Sequence, residues 1–228
     1  KDWPDIGDYT AKRNQDVPGI KGAELLSYGA AIAWDTRNNR LHPTEGGYER
    51  FSVDMNHGLG SRYNEFRYWK FRGDMTHYFS LSKYLQYVPF GEYIPMLSAD
   101  KIMVIHGTVE HTSEISGGDQ IPFFDLSRLD KRVVRGYDPN RFFDKNLIGC
   151  SVAYRYTVWK WKDFKMNTSL FYDVGWSFND ASEVSLSTIK DGYGVAFRFI
   201  MPNRNIFAIE FAHCDEGFGV YWKLKPKF

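Results

Sequence analysis

The chain has 228 residues and a formal net charge of +1, enough for a sizeable domain but no electrostatic argument for nucleic acid or an anionic membrane surface. Aromatic residues make up 18% of the chain while its mean hydropathy is −0.46, and no run approaches the ~18 apolar residues that a membrane helix needs. Many aromatics with low mean hydropathy suit a β-barrel in lipid, where only every second strand residue meets the hydrocarbon, although a soluble β-sandwich can share that composition.

Residues 1–21 read as a loop or amino-terminal extension, since Pro4 and Pro18 make a poor strand. From 22 to 228 the sequence alternates with a period of two in segments bounded by turn residues. Near 26–37, Leu26, Tyr28, Ile32 and Trp34 oppose Gly29, Ala31, Ala33, Asp35 and Arg37. Phe51, Val53 and Met55 share a face near 48–57, and Trp69, Phe71, Met75 and Phe79 share one near 66–80. The segment 101–112 is apolar from Ile102 to Ile105 without clean alternation, and a long polar loop follows at 114–145.

Beyond that loop the pattern sharpens. In 148–158, Val152, Tyr154, Tyr156 and Val158 oppose Ser151, Ala153, Arg155 and Thr157. In 166–176, Leu170, Tyr172, Val174 and Trp176 oppose Asn167, Ser169, Asp173 and Gly175. A second polar loop covers 178–190. Then Tyr193, Val195, Phe197 and Phe199 oppose Gly194, Ala196 and Arg198, and Phe207, Ile209 and Phe211 oppose Ala208, Glu210 and Ala212. The last segment sets Phe218, Val220, Trp222, Leu224 and Phe228 against Tyr221, Lys223, Lys225 and Lys227. Gly46-Gly47, Pro202-Asn203 and the region near Asp163 read as turns. The pattern predicts about nine strands in an all-β chain.

The polar face carries Arg155, Asp173, Arg198, Glu210, Lys223 and Lys225. Such a face is solvent in a sandwich but lumen in a barrel, and alternation alone does not separate the two. Aromatics near strand ends, among them Trp159, Trp161, Trp176 and Trp222, favour the girdles of a transmembrane antiparallel β-barrel. An alternating final strand with a terminal aromatic, Phe228, is a mark of bacterial outer-membrane barrels.

Several motifs carry a resemblance. Val134-Arg135-Gly136-Tyr137 lies in the long loop. Asp35-Thr36-Arg37 with Pro43-Thr44-Glu45-Gly46, and Ile121-Pro122-Phe123-Phe124, precede it. Tyr154-Arg155-Tyr156, Phe171-Tyr172-Asp173-Val174-Gly175 and Gly192-Tyr193-Gly194-Val195-Ala196-Phe197-Arg198-Phe199 follow it. Their order and spacing over about 22–228 resemble the carboxyl-terminal barrel portion of the BamA/TamA outer-membrane assembly superfamily, the bacterial surface antigen family. The resemblance implies that the 114–145 loop folds into the lumen and that Arg135, with Gly136 and Tyr137, meets acidic lumen residues. Asp173 is the implied partner, with Arg155 and Glu210 on neighbouring lumen positions. The family's usual second acid, before Tyr-Arg, is replaced here by Ala153, which leaves either a weaker lock or Glu210 in its place.

The implied function is a factor that inserts or exports proteins through the outer membrane. Outer-membrane lipid is one implied partner, and unfolded outer-membrane clients and periplasmic accessory proteins are others. The terminal-strand signal Val220, Trp222, Leu224 and Phe228 would put the carboxyl end in the periplasm. Nine antiparallel strands back from there, residue 22 lies on the extracellular side. Since exported barrels start from the periplasm with an even strand number, the chain reads as the last strands of a barrel of about sixteen. A barrel that anchors or exports a fused or partner domain is the alternative.

Other classes carry less. No Ser/His/Asp set faces together, so no enzyme is expected. No cofactor and no metal are implied: His213-Cys214-Asp215-Glu216 lacks ligand partners, and His106 and His111 sit in opposite strand phases. Cys150 and Cys214 read as small apolar residues. Lys131, Arg132 and Arg135 could bind phosphate groups of surface lipid, but a solvated loop face accounts for them more simply.

Overall fold

The computed structural model describes residues 17–60, 65–82, 101–117, 119–138, 141–201 and 206–224. In chain order the strands are β1 (Leu25–Asp35), β2 (Gly46–Gly58), β3 (Arg67–Ser80), β4 (Lys101–Glu114), β5 (Ser127–Leu129) and β6 (Phe142–Asp144). They continue as β7 (Asn146–Trp161), β8 (Phe164–Phe178), β9 (Lys190–Ile200), β10 (Ile206–Cys214) and β11 (Gly217–Leu224). Phe228, the Pro202-Asn203 turn and the chain before residue 17 lie outside the described residues.

Nine strands form one antiparallel sheet in the order β1-β2-β3-β4-β7-β8-β9-β10-β11, and β5 pairs with β6 in a separate hairpin. The sheet is an uninterrupted meander, the connectivity of an up-and-down barrel. Among the described residues β1 pairs only with β2 and β11 only with β10, so the sheet is open. Antiparallel order puts the start of β1 at the same end of the sheet as the 115–145 loop, and the end of β11 at the opposite end.

The two faces are built inside out. Leu170 is 50% exposed and Trp222 71%, whereas Asp173 is 1% and Glu210 0%. Large apolar side chains stand on the open face, and charged ones are buried on the other. A soluble sheet buries the opposite set, because uncompensated burial of charge costs several kcal/mol. The pattern therefore fits a wall with lipid outside and a filled polar lumen inside. Phe171 is the exception on β8, a buried aromatic in the lumen phase.

Two connections refine the sequence reading. Gly46-Gly47 is not the turn itself but the start of β2, and the turn occupies 36–45. Lys162 at φ 52 turns β7 into β8 with Asp163 as the second residue of a two-residue hairpin. Just before it, the β7–β8 register shifts between Thr157 and Trp159. The added residue flips the alternation, so Trp159 and Trp161 join Val158 on the outer face instead of pointing inward. Their rings stack at 6.3 Å, and Phe164 meets Trp159 edge-on at 5.5 Å.

Candidate functional site: a loop locked in the lumen

The long loop is tied to the wall along its length. Phe66 bridges Gln120, and Tyr68 Oη donates to Asp125 Oδ2 at 2.7 Å. Lys70 Nζ donates to the Asp125 carbonyl at 2.6 Å. After the β5 strand, Asp130 organises a turn: its carbonyl accepts from Val133 N and Val134 N, and its carboxylate takes Arg132. This delivers Val133–Tyr137 onto the lumen faces of β7, β8, β9 and β10.

Glycines on those strands provide the room. Gly149 of β7 lies opposite Gly175 of β8, and Gly192 of β9 lies opposite Asp173. A Cβ at Gly149 would meet Val133 Cγ1 at 2.2 Å, one at Gly175 would meet Val134 Cγ2 at 3.1 Å, and one at Gly192 would meet the Arg135 carbonyl oxygen at 2.2 Å. Gly136 has φ +114, a region that L side chains rarely adopt, and a Cβ there would strike Cys214 Cβ at 2.8 Å.

Arg135 closes the lock. Its Nε donates to Asp173 Oδ2 and its Nη2 to Asp173 Oδ1, both at 2.7 Å, while its backbone N–H reaches Oδ2 at 3.0 Å. Ser151 Oγ accepts from Nη2 at 3.0 Å and donates to Asp173 Oδ1 at 2.6 Å. The guanidinium lies 3.5 Å from the centre of the Phe171 ring. A bidentate fork, a hydroxyl bridge and an aromatic floor together offset the desolvation of a buried ion pair. Glu210 stands further off, its Oε1 3.8 Å from Arg135 Nη1, and Lys223 Nζ is 2.7 Å from its Oε2. Tyr137 is buried with Leu129, Val134, Leu147 and Cys214, and its ring meets Phe142 at 5.5 Å. Burial pushes its phenol up, so the group stays neutral.

The structure thus brings together Arg135, Gly136, Tyr137, Asp173 and, at longer range, Glu210. Arg155 is a lumen residue on the same strand as Ser151, but it carries the same charge as Arg135 and faces the Tyr78 ring at 5.9 Å. Val220, Trp222 and Leu224 stand on the open outer face of β11. Ser151, Phe171 and the three cradle glycines were not assigned to the site from the sequence, although Phe171, Gly175 and Gly192 stand in the quoted motifs. The serine and the glycines were visible as small residues in the lumen phase of three consecutive wall strands.

Arg132 belongs to Asp130 and Lys131 sits over the Tyr221 ring, so these loop cations are engaged within the protein. His213 lies beside Tyr193 on the outer face, and Glu216 pairs with Arg141 at 2.7 Å. Among the described residues no three His, Cys, Asp or Glu side chains group closely enough for a metal ion.

Comparison with known proteins agrees with this fold. The model of the Omp85 superfamily domain matches residues 13–214. Among solved structures, the crystal structure of BamA from Haemophilus ducreyi lacking POTRA domains 1–3 is similar at a TM-score of 0.63 and 14% identity. The match covers 88% of this chain and 42% of that one, so the chain spans less than half the length of its structural relative. No curated protein matches.

Proposed function

The chain belongs to the Omp85 superfamily, and on that premise we propose that it forms the carboxyl-terminal wall of an outer-membrane barrel that inserts or exports client proteins. The observation that carries the reading is the loop held inside the lumen by Arg135 on Asp173. A plugged lumen leaves the sheet edges, rather than an open pore, as the place where a client strand can add its backbone hydrogen bonds. β11, paired on one side only among the described residues, is the edge for that role. Unpaired edge groups do not persist in hydrocarbon, so in the membrane the free edges of β1 and β11 both call for partner strands. In this reading the end of β11 faces the periplasm, the Arg135 loop enters the lumen from the outside, and periplasmic accessory proteins deliver unfolded clients.

Depletion of the parent protein tests the proposal. The expected result is a fall in folded, heat-modifiable outer-membrane barrels, with unfolded precursors accumulating in the periplasm. Unchanged barrel levels, with loss of one surface-displayed or exported protein instead, would replace it with the anchor or exporter role.

A further inference from the structure

Below the lock, toward the end of the lumen where β11 finishes, two buried arginines form no ion pair among the described residues. Arg155 on β7 is 2% exposed and Arg198 on β9 is 6%. Among the described residues the Nε of each lacks a hydrogen-bond partner, and so do Thr157 Oγ1, Asn167 Oδ1 and Ser169 Oγ. These five residues are contiguous on the lumen face: Arg155 lies opposite Ser169, Thr157 opposite Asn167, and Asn167 opposite Arg198. The 36–45 turn crosses the lumen beneath them, where His42 Nε2 lies 2.8 Å from Asn167 Nδ2.

An arginine does not shed its proton in a protein, so burial leaves two like charges to be balanced. Of the buried carboxylates of β7–β11, Asp173 is taken by Arg135, and Glu210 lies 2.7 Å from Lys223 and 3.8 Å from Arg135, although neither of its oxygens has a hydrogen-bond partner among the described residues; the two acids do not balance Arg135, Arg155 and Arg198 together with Lys223. Glu210 sits diagonal to Arg198 across β9 and β10 but forms no ion pair with it.

We propose that Arg155 and Arg198 hold one small oxyanion of the phosphate class in the lumen, between the locked loop and the 36–45 turn. Two guanidinium forks with the Ser169 and Thr157 hydroxyls on neighbouring lumen positions offer more donors than a two-oxygen carboxylate accepts, and they match a group with three or four oxygens. The site is separate from the Arg135 lock and does not depend on the assembly reading.

The test uses the intact parent protein in detergent, with inorganic phosphate as probe and ionic strength held constant with sodium chloride. Equilibrium dialysis is expected to show one saturable phosphate per chain, and the unfolding midpoint to rise with phosphate concentration. R155Q and R198Q each lose about tenfold or more in phosphate affinity. R72Q, which removes an arginine paired with Asp54 on the far wall, keeps it. Where a glutamine variant does not fold, R155K and R198K retain the charge but not the fork, and weakened binding in them supports the site. Absence of saturable phosphate binding to the unaltered protein, or unchanged affinity in the arginine variants that fold, overturns the proposal.

Discussion

At the scale of residues, the account rests on a buried ion pair whose parts are not interchangeable. R135A leaves the Asp173 carboxylate buried without its fork, and the expected loss is about 3–5 kcal/mol of stability, read by urea unfolding in lipid vesicles. R135K keeps the charge but gives up the two-toothed contact and the stacking on Phe171, so it falls between wild type and R135A. G192A places a methyl group 2.2 Å from the Arg135 carbonyl oxygen and pushes the loop off its cradle. It is expected to cost about 1–3 kcal/mol and to open the loop to a protease that leaves the wild type intact. The Arg135–Asp173 pair was legible in the sequence, because a motif named one partner and strand phase placed the other. The glycine cradle was not. A lumen-phase glycine becomes informative only when the segment lying over it is known, and Val133 lies over Gly149 from sixteen residues earlier in the chain.

At the scale of elements, strand identity came from side-chain period for eight of the nine wall strands, and β4 appears in the apolar segment that lacked clean alternation. The β5–β6 hairpin was not visible beforehand. Each of its strands is three residues long and is held by contacts with β7 and β8 rather than by a pattern of its own. The β7 bulge was also hidden, since Thr157-Val158-Trp159-Lys160-Trp161 reads as continuous alternation until one residue is left over. Its consequence is testable. Deleting Val158 removes the extra residue and joins Thr157 directly to Trp159 in regular alternation, so Trp159 and Trp161 keep their outward positions. The expected outcome is an unchanged tryptophan emission and a retained heat-resistant band on gels, whereas a red shift would show that the rings had turned toward the lumen. Depth along β8 and its hairpin gives a second check. A lysine at Leu170, mid-strand on the outer face, should cost about 2–4 kcal/mol, whereas one at Trp161, at the hairpin tip, should cost about 0–1 kcal/mol. Equal costs at both sites would mean that the strand does not cross a bilayer.

At the scale of the whole molecule, the inversion of faces governs the rest. Composition and period left a soluble sandwich and a barrel both open, because alternation is symmetric between inside and outside. Burial removes that symmetry: Arg155, Asp173, Arg198 and Glu210 lie on the covered face, while Leu170, Tyr172, Val220 and Trp222 stand open. Strand counting also placed the start of the wall at the end that carries the long loop, and the topology agrees. The most direct test is site-directed spin labelling along β8, from Thr168 to Gly175, with Cys150 and Cys214 replaced by Ala and the intact protein reconstituted in lipid. The account predicts high accessibility to oxygen and low accessibility to a water-soluble nickel chelate at Leu170, Tyr172 and Val174, with both low at Ser169, Phe171 and Asp173. Access of the nickel chelate to Leu170, Tyr172 and Val174 would place that face in water and contradict the barrel.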